Sequence, residues 1–458
     1  MFFSQQSVVL LYLTAAMIWR LRTHMARWTA MVVVCAFCQG WTLSARAQNP
    51  TVTISFLTHW PPETVAKLSA AVKAYMKDHP GTSIQIRAVP FADLLTTLRS
   101  QAGGSNAPTL ASIYSLWLPE LVRDAIVTEA PEADAAEIRK DWSESAVTAA
   151  TVDGKIYGYP NEIDLYALNY NKELFAAAGI AGPPKTWDEL LADAERLTKR
   201  EGGHVTQQGF GSINSWAAGV VHPFASLLAS NGGALVVDGK PALDSKAATE
   251  TFGFIQKLID AKVTDPSMGT ADANTTGPYL DNFIAGKTAM IIMANWWESA
   301  LRAGMGQHFA NVATAPIPVG PSGNGSHAIS YSWLTVVNAA ASETQRRAAW
   351  DFLRWLDRPE SGQNGASAMG DLLVSMGILP SRQSDVAAFS QRLASNFLAG
   401  YVSQLKAAKP FPVVLGGQEF TDALQHHLEA MQFGQERAPQ AQAQAQRDAA
   451  SILGNAAR

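Results

Sequence analysis

The sequence predicts an α/β fold in which a parallel β-sheet is covered by helices. Residues 51–114 alternate strand-like and helix-like patterns in the order β-α-β-α-β, which is typical of a parallel sheet with covering helices. Hydrophobic residues make up 47% of the chain and charged residues 16%, a globular composition that excludes disordered and collagen-like proteins. At 458 residues the chain is long enough for about two or three domains.

The first βαβαβ unit is indicated by its residue alternation and its helix boundaries. Thr51–Leu57 alternates β-branched and polar residues, as a strand does. Pro61-Pro62 begins a helix, Pro80-Gly81 ends it, and one face of that helix carries Val65, Leu68, Val72 and Tyr75. The unit continues with a strand, a helix and a third strand at Ser83–Val89, Phe91–Gln101 and Leu110–Tyr114.

The rest of the chain predicts further strands and capped helices. Asp153-Gly154, within Val152–Tyr159, indicates a hairpin turn. Thr186-Trp187-Asp188-Glu189 fits the capping box of a helix that ends at Lys199. Asp244 and Ser342 are predicted to cap helices that end at Ile259 and Leu356. The remaining elements are strands at Leu165–Tyr170, Thr288–Met293 and Leu334–Val337, a helix end at Phe283–Gly286, and a helix over Gln440–Gln446.

The first 47 residues have the pattern of a secretory signal. They contain four arginines and no aspartate, glutamate or lysine. From Met25, a positive start is followed by the apolar run Ala30–Cys38 and by Ala45-Arg46-Ala47, a small-x-small cleavage site. We expect a biological start at Met25, cleavage before Gln48 and export without lipidation. A short membrane anchor is the alternative.

Charge, cysteine content and motifs exclude several classes of protein. The net charge is −4, and cleavage before Gln48 makes it −8, which disfavours nucleic-acid binding because that needs a basic surplus or a basic face. Cys35 and Cys38 both lie in the signal segment, so the exported chain has no disulfide and depends on its core. The sequence has no hydrolase-nucleophile, phosphate-loop, dinucleotide or metal-ligand motif, and we expect neither a cofactor nor a metal.

One pair of carboxylates, Glu162 and Asp164, could in principle be catalytic. Glu162 and Asp164 lie two residues apart at the start of a strand. Residues with this spacing share one face of a strand, about 6–7 Å apart, which would suit an inverting glycosidase. The alternative is a solvated or hydrogen-bonded pair without catalytic function. We favour the alternative because no other catalytic group accompanies the pair.

Aromatic residues recur at the ends of predicted strands or in the loops that follow them. In open α/β sheets the ligand crevice lies beyond the carboxyl ends of the strands. Aromatic rings combine flat apolar faces with polar edges, and a sugar ring needs both. A core position is the better interpretation for any single tryptophan, but the set together favours a binding site. The segments are His59-Trp60, Tyr114-Ser115-Leu116-Trp117, Trp296-Trp297 and Tyr331-Ser332-Trp333.

Five segments of the chain occur in the order of a known family. They are VTISFLTHW, VPFADLLTTLRSQAGGSNAPTL, DGKIYGYPNEIDLYALNYNKELFAAAGI with PPKTWDELLADAERLT, FIAGKTAMIIMANWWESAL, and APIPVGPSGNGSH with SWLTVVNAAASETQRRAAWDFLRWL. On these segments the chain resembles, from about residue 50 to 430, family 1 of the extracellular solute-binding proteins. That family includes the maltose-binding protein, and its members serve ABC importers, mostly of sugars.

The resemblance implies a two-lobed periplasmic binding protein fold. Two sheets with covering helices would be joined by a hinge of about three crossings, with the ligand in the cleft between the lobes. After the signal segment at residues 1–47, the first lobe would comprise residues 48–162 and 312–362. The second lobe would comprise residues 163–311 and 363–458.

The resemblance also implies a ligand site. Asp164 matches a ligand-binding carboxylate of the maltose-binding protein, and Trp296 matches a sugar-stacking tryptophan. Asp93 is a weaker candidate that equally fits a first-turn helix carboxylate. The acidic-basic pair that the maltose binder has in its first-lobe loop is absent here. The other candidate ligand-binding residues are His59, Trp60, Tyr114, Ser115, Trp117, Asn161, Glu162, Trp216, His222, Asn231, Tyr331 and Trp333.

The predicted function is that of a periplasmic substrate-binding component of an ABC importer. Such a protein would be a non-enzymatic monomer that binds a carbohydrate and delivers it to permease subunits. Two alternatives stay open. The ligand could be glycerol phosphate or another polyol, although no cluster of arginines for a phosphate is visible. The protein could also be a secreted glycosidase that uses Glu162 and Asp164.

Overall fold

The computed structural model describes residues 52–456 and residue 458. The predicted signal segment, its cleavage site and both cysteines therefore lie outside the described residues. Within the described part, no helix combines the length and the apolar character needed to cross a membrane.

The strands within the described residues are β1 (Val52–Thr58), β2 (Thr82–Ala88), β3 (Leu110–Tyr114), β4 (Thr151–Val152), β5 (Lys155–Ile156), β6 (Gly158–Pro160), β7 (Glu162–Asn171), β8 (Lys199–Glu201), β9 (His204–Gly211), β10 (Val236–Val237), β11 (Lys240–Pro241), β12 (Thr288–Ala294), β13 (Val312–Ala315), β14 (Ile329–Tyr331), β15 (Trp333–Val337), β16 (Leu379–Pro380) and β17 (Lys409–Pro410). The α-helices are α1 (Pro62–Asp78), α2 (Phe91–Gln101), α3 (Leu118–Arg123), α4 (Glu132–Asp141), α5 (Glu144–Ala149), α6 (Lys172–Ala177), α7 (Trp187–Leu197), α8 (Ala217–Ser230), α9 (Lys246–Asp260), α10 (Pro278–Ile284), α11 (Glu298–Met305), α12 (Glu343–Asp357), α13 (Ala368–Val374), α14 (Gln383–Ala388), α15 (Ser390–Leu393), α16 (Ala399–Val402), α17 (Gly417–Gln432) and α18 (Ala438–Ala456).

The first sheet has the strand order β2-β1-β3-β15-β6. Its β1 strand pairs in parallel with β2 and β3, which confirms the parallel unit predicted from residues 51–114. The other two strands were not foreseen as members of this sheet, and they make it mixed because β15 runs antiparallel to both β3 and β6. Helices α1 and α12 pack against this sheet. The buried face of α1 includes Leu68, Val72 and Tyr75.

The second sheet is built around β7, a strand of 10 residues. Its order is β17-β14-β7-β12-β9-β8, and β13 and β16 also pair with β7. Along its length β7 meets β16 at Glu162, β14 at Asp164, β12 from Tyr166 onward and β13 from Leu168 onward. The two carboxylates therefore lie at the start of β7, where this strand pairs with β16 and β14.

The chain passes from one sheet to the other at short crossings. Asn161 lies between β6 of the first sheet and β7 of the second, and Ser332 lies between β14 of the second sheet and β15 of the first. The segment 312–362, expected in the first lobe, contributes β13 and β14 to the second sheet. Pairing with β7 decides only the sheet to which these strands belong, so the lobe boundaries expected from family order stay a prediction.

Most element boundaries follow the sequence signals, but α7 ends at Leu197, and Lys199, expected at the end of that helix, begins β8. Thr186 and Ser342 each form the capping box or cap that was expected. The cap of α9 is Ser245 and not Asp244, because the Ser245 hydroxyl accepts a hydrogen bond from the backbone N–H of Ala248. The hairpin of β4 and β5 turns through Asp153 and Gly154, both with positive φ, as a two-residue hairpin requires.

Candidate functional site

Aromatic side chains from both sheets converge on one region at the ends of the strands. The His59 ring, after β1, stacks on Trp333 at a centroid distance of 3.9 Å. Trp333 lies 5.8 Å from Trp117, which in turn lies 5.8 Å from Tyr114 at the end of β3. Tyr114 lies 5.0 Å from Tyr331 at the end of β14. Rings that follow different strands thus form one continuous cluster.

The same cluster extends onto the second sheet. Tyr331 lies 6.0 Å from Trp296, which follows β12, and Trp296 lies 6.2 Å from Trp216 at the start of α8. Phe91, at the start of α2, lies 6.4 Å from Trp216 and closes the circuit back to the first sheet. Gly219 makes room for the Trp216 ring, since a Cβ there would lie 2.4 Å from a ring carbon.

Four of these rings line a cavity of about 200 Å³ between the two sheets. Phe91, Tyr114 and Trp117 contribute from the first sheet, and Trp216 and Gln418 contribute from the second-sheet side. Pockets for small molecules usually measure roughly 300–1,000 Å³. The described conformation is therefore closed around a space smaller than a typical ligand site.

A larger cavity of about 530 Å³ lies on the opposite side of the start of β7. Ile163 lines it, and side chains alternate along a strand, so Ile163 faces away from Glu162 and Asp164. No aromatic ring is among its lining residues. We therefore place the candidate site at the smaller cavity, where rings and polar atoms meet.

Glu162, Asp164 and Tyr166 succeed one another on the inner face of β7. Both carboxylates are buried, with 2% and 1% of their surface exposed. Their carboxyl groups are within hydrogen-bonding contact of each other. The separation of about 6–7 Å expected from strand geometry is thus not what the carboxyl groups adopt. Carboxyl groups in contact leave no room for the water of an inverting glycosidase.

Burial controls the protonation of this pair. It raises the pKa of Glu162 well above its usual value, and the neighbouring Asp164 raises it further. Burial also raises the pKa of Asp164 to about 7, an effect that Glu162, Asn295 and Tyr331 partly offset. Near neutral pH the two carboxyl groups therefore retain at least one proton between them.

Replacing Asp164 by asparagine should give a pH-dependent change in stability. The folded protein keeps a proton on Asp164 up to about pH 7, whereas the unfolded chain loses that proton above about pH 4. The free energy of unfolding of the wild-type protein therefore loses the contribution of Asp164 as the pH rises from about 4 to 7. Asp164→Asn removes that loss. Its free energy of unfolding should rise relative to wild type by up to about 1.4 kcal/mol per pH unit in this range.

Urea unfolding at pH 5, 6, 7 and 8 measures the effect. Comparison with wild type at each pH cancels the opposite contribution of buried His59 and His222, whose pKa burial lowers to about 3. Asp78→Asn, at the exposed end of α1, is the control and should show no such trend. A stability difference for Asp164→Asn that is constant between pH 5 and 8 would contradict the assignment.

A hydrogen-bond chain joins the two sheets beside the carboxyl pair. The Tyr114 hydroxyl lies 2.8 Å from Nε2 of His222, and Nδ1 of His222 lies 3.0 Å from the Tyr166 hydroxyl. His222 is fully buried, and burial lowers its pKa, so the ring is neutral and one nitrogen donates while the other accepts. A second link across the site is the hydrogen bond from Nε1 of Trp117 to Oε1 of Gln418, at 2.7 Å.

Several buried polar atoms of this region have no hydrogen-bond partner among the described residues. Buried polar groups in native proteins are nearly always hydrogen-bonded, so buried atoms without a partner are unusual. The atoms are Nδ1 of His59, Oε2 of Glu162, Oδ1 of Asp164, Nε1 of Trp216 and Nδ2 of Asn295.

The structure brings ten of the expected site residues together and leaves five apart. Trp60 and Ser115 are buried in the packing beside the strand ends, and Asp93 is exposed in the first turn of α2. Asn161 accepts a hydrogen bond from Thr335 at the crossing, and Asn231 binds the backbone of α9. The ten are His59, Tyr114, Trp117, Glu162, Asp164, Trp216, His222, Trp296, Tyr331 and Trp333.

Several residues of the cluster were not predicted from the sequence. Phe91 follows β2, so the rule that identified aromatic residues after strands could have found it. Tyr166 follows Asp164 by two positions on the same face of β7. Asn295 and Gln418 have no comparable signal, because only the folded chain places them beside Asp164 and Trp117.

Comparison with known proteins gives consistent results. The family model described as bacterial extracellular solute-binding protein matches residues 61–363. A putative binding protein of Brucella abortus is 28% identical over 386 residues, which cover 81% of this chain and 88% of that protein.

Solved structures share the fold. The GacH receptor of Streptomyces glaucescens, known unliganded and in complex with acarbose and an acarbose homologue, matches with a TM-score of 0.76 and 21% identity over 88% of this chain and 99% of that one. The maltose/maltodextrin-binding domain MalE from Bdellovibrio bacteriovorus, bound to maltotriose, matches with a TM-score of 0.71 and 22% identity over 88% of this chain and 100% of that one. The α/β architecture with two mixed sheets is therefore that of MalE-like binding proteins.

Proposed function

Since the chain belongs to the bacterial extracellular solute-binding proteins, the non-enzymatic components that receive solutes for ABC transporters, we propose that its solute is a carbohydrate. The chain would bind this carbohydrate in the cavity between its two sheets and deliver it to the permease subunits. The observation that carries the proposal is the circuit of aromatic rings around unpartnered polar atoms. Ring faces suit the C–H faces of a sugar, and the polar atoms suit its hydroxyls.

Neutral or positively charged ligands fit this cavity better than anions do. Glu162 and Asp164 are buried at the ring cluster, where Tyr331 contacts Asp164, and no arginine or lysine forms an ion pair with either among the described residues. A phosphate placed here would meet like charge without a compensating cation. The glycerol-phosphate alternative is therefore the weaker one. The names of the two structural neighbours, which include acarbose and maltotriose, support an oligosaccharide.

Binding would require the two sheets to separate and close again. We propose that they form the cores of two lobes, with residues 48–162 starting the first, residues 163–311 starting the second, and hinge crossings at Asn161 and Ser332 and near β16. Opening would break the hydrogen bonds Tyr114–His222 and Trp117–Gln418, and a ligand would offset that loss. Residues 1–47, which lie outside the described part, would direct export to the periplasm.

A thermal-shift screen followed by calorimetry tests the carbohydrate proposal. The panel contains mono- and oligosaccharides, with amino acids and glycerol 3-phosphate as non-sugar arms. A true ligand at 100 times its Kd should add about 2.7 kcal/mol to the free energy of unfolding. Trp216→Ala should lose this gain, whereas Trp355→Ala, a half-buried tryptophan that packs on Tyr75 away from the cavity, should keep it. Stabilisation by amino acids and by no sugar would contradict the proposal.

A further inference from the structure

We propose that the ligand carries a positively charged amine that binds to the free carboxyl oxygens of Glu162 and Asp164, so that the carbohydrate is an amino sugar or an oligosaccharide containing one. The inference rests on the proposed function and names the chemical class of its ligand. It stands on the carboxyl pair, on its lack of a cationic partner and on the groups that surround it.

Three other buried carboxylates of the described residues form an ion pair with arginine. Asp134 binds Arg354 at 2.8 Å, and Glu298 binds Arg302 at 2.7 Å and Arg392 at 2.6 Å. Glu120 pairs with Arg99, whereas Asp357 and Asp385 form no ion pair within these residues, and the only positive charge that acts on them is that of the more distant Arg382. Glu162 and Asp164 are buried without an ion-pair partner in the described part of the chain, and no arginine or lysine is among the groups that shift their pKa values. The missing cation has to come from outside the chain or be replaced by a proton.

The free atoms of the pair are suited to an ammonium group. Oε2 of Glu162 and Oδ1 of Asp164 have no hydrogen-bond partner among the described residues, and an ammonium group offers three donors. Asn295 is fully buried, and its Oδ1 is held by the backbone N–H of Leu165 at 2.8 Å. Its Nδ2 faces Asp164 and has no other hydrogen-bond partner among the described residues, so its second N–H can bind a hydroxyl oxygen next to the amine. An amine beside a hydroxyl is the arrangement of an amino sugar.

The surrounding groups also favour a cation. The groups that face Asp164 are Glu162, Asn295 and the hydroxyl-bearing rings of Tyr114, Tyr166 and Tyr331, and none of them is basic. Behind them lies His222, which is neutral. Trp296 lies 6.0 Å from both Tyr166 and Tyr331, so three aromatic rings surround this end of the site. Such rings attract a desolvated cation through their faces.

Proton exchange distinguishes an amine from a neutral ligand. The unliganded pair holds a proton near pH 7 because burial raises both pKa values. An ammonium group that binds to the free oxygens of the two carboxylates compensates their negative charge in place of that proton, which passes to the buffer. A neutral sugar leaves the proton in place. Binding of the amine should therefore release up to about one proton and should strengthen as the pH rises through about 7, until the amine itself deprotonates.

Matched ligands that differ at one group test the inference. Glucosamine, glucose and N-acetylglucosamine form one set, and the corresponding β-1,4-linked disaccharides form a second. Galactosamine with galactose forms a third, and spermidine serves as an amine without a sugar ring. Calorimetry at pH 7 in two buffers of different ionisation enthalpy gives the affinity and the number of protons released. The amine member of a set should bind at least tenfold more tightly than its hydroxyl and N-acetyl counterparts.

The double variant Glu162→Gln/Asp164→Asn should remove the preference for the amine while neutral sugars still bind. Asp93→Asn, at an exposed position, should leave it unchanged. Proton release is measured on the wild-type protein, so the inference is tested even if the double variant does not fold. A neutral sugar that binds as tightly as its amine, without proton release, overturns the inference and leaves the carbohydrate function intact. Binding of spermidine but of no sugar overturns the carbohydrate function and supports the cationic site. A panel in which nothing binds overturns both.

Discussion

Trp296→Ala should weaken carbohydrate binding by about 2–3 kcal/mol, roughly 30- to 150-fold in Kd. Trp296 lies at the end of β12 and is only partly buried, while its ring lies 6.0 Å from Tyr331 and 6.2 Å from Trp216. It therefore offers a ring face to a ligand in the open protein. Because that face is not part of the core, the loss of folding stability should be small. Calorimetry with the sugar identified by the screen measures the change in affinity.

The control for this variant is Trp355→Ala, which removes a tryptophan of comparable exposure on α12. That variant should bind the sugar with wild-type affinity even where its melting temperature falls. A Trp296→Ala protein with unchanged Kd would exclude Trp296 as a stacking platform. An equal loss of affinity in both variants would mean that the effect comes from reduced stability and not from the site.

Trp297→Ala should instead reduce the free energy of unfolding by about 3–5 kcal/mol. Trp297 is buried, with 7% of its surface exposed, and packs edge-on at 6.2 Å from Tyr279 of α10. Removal of its indole leaves a cavity between β12 and the helices α10 and α11, because those elements relax only partly. Chemical unfolding of the unliganded protein measures this loss.

The two neighbouring tryptophan variants should therefore differ in which property they lose. At a temperature where Trp297→Ala is fully folded, its affinity for sugar should stay within about threefold of wild type, whereas Trp296→Ala should lose affinity and keep most of its stability. Equal destabilisation of both variants, with no selective loss of binding, would show that both tryptophans belong to the core.

The elements of the fold were largely predictable because local signals and long-range packing agree. The strand and helix pattern of residues 51–114 places β1, β2 and β3 in parallel, and Thr186 and Ser342 cap the helices that follow them. Capping depends on groups within a few residues, so the chain itself encodes it. Sheet membership of β13 and β14 was not predictable in this way, because it depends on pairing with β7 more than 140 positions away.

The site was predictable only as a set of aromatic and acidic residues at or near the ends of predicted strands. Aromatic residues after strands pointed to Tyr114, Trp296 and Trp333, since the ends of strands face a common crevice. The same rule also selected Trp60, which is buried without joining the ring contacts of the described cluster. Nothing local distinguishes a ring that lines a crevice from one that fills the core beside it.

By itself, the sequence determined the α/β class, the family order of five segments and the presence of two carboxylates on one face of β7. These features follow from composition, period-two alternation and short-range capping, which do not need a partner strand. Tertiary structure alone decided that Glu162 and Asp164 touch, that both are buried without an arginine, and that His222 joins Tyr114 to Tyr166 across the two sheets. Burial and electrostatic partnership depend on residues far apart in the chain, so the protonation and the ligand preference of the site are fixed only when the sheets meet.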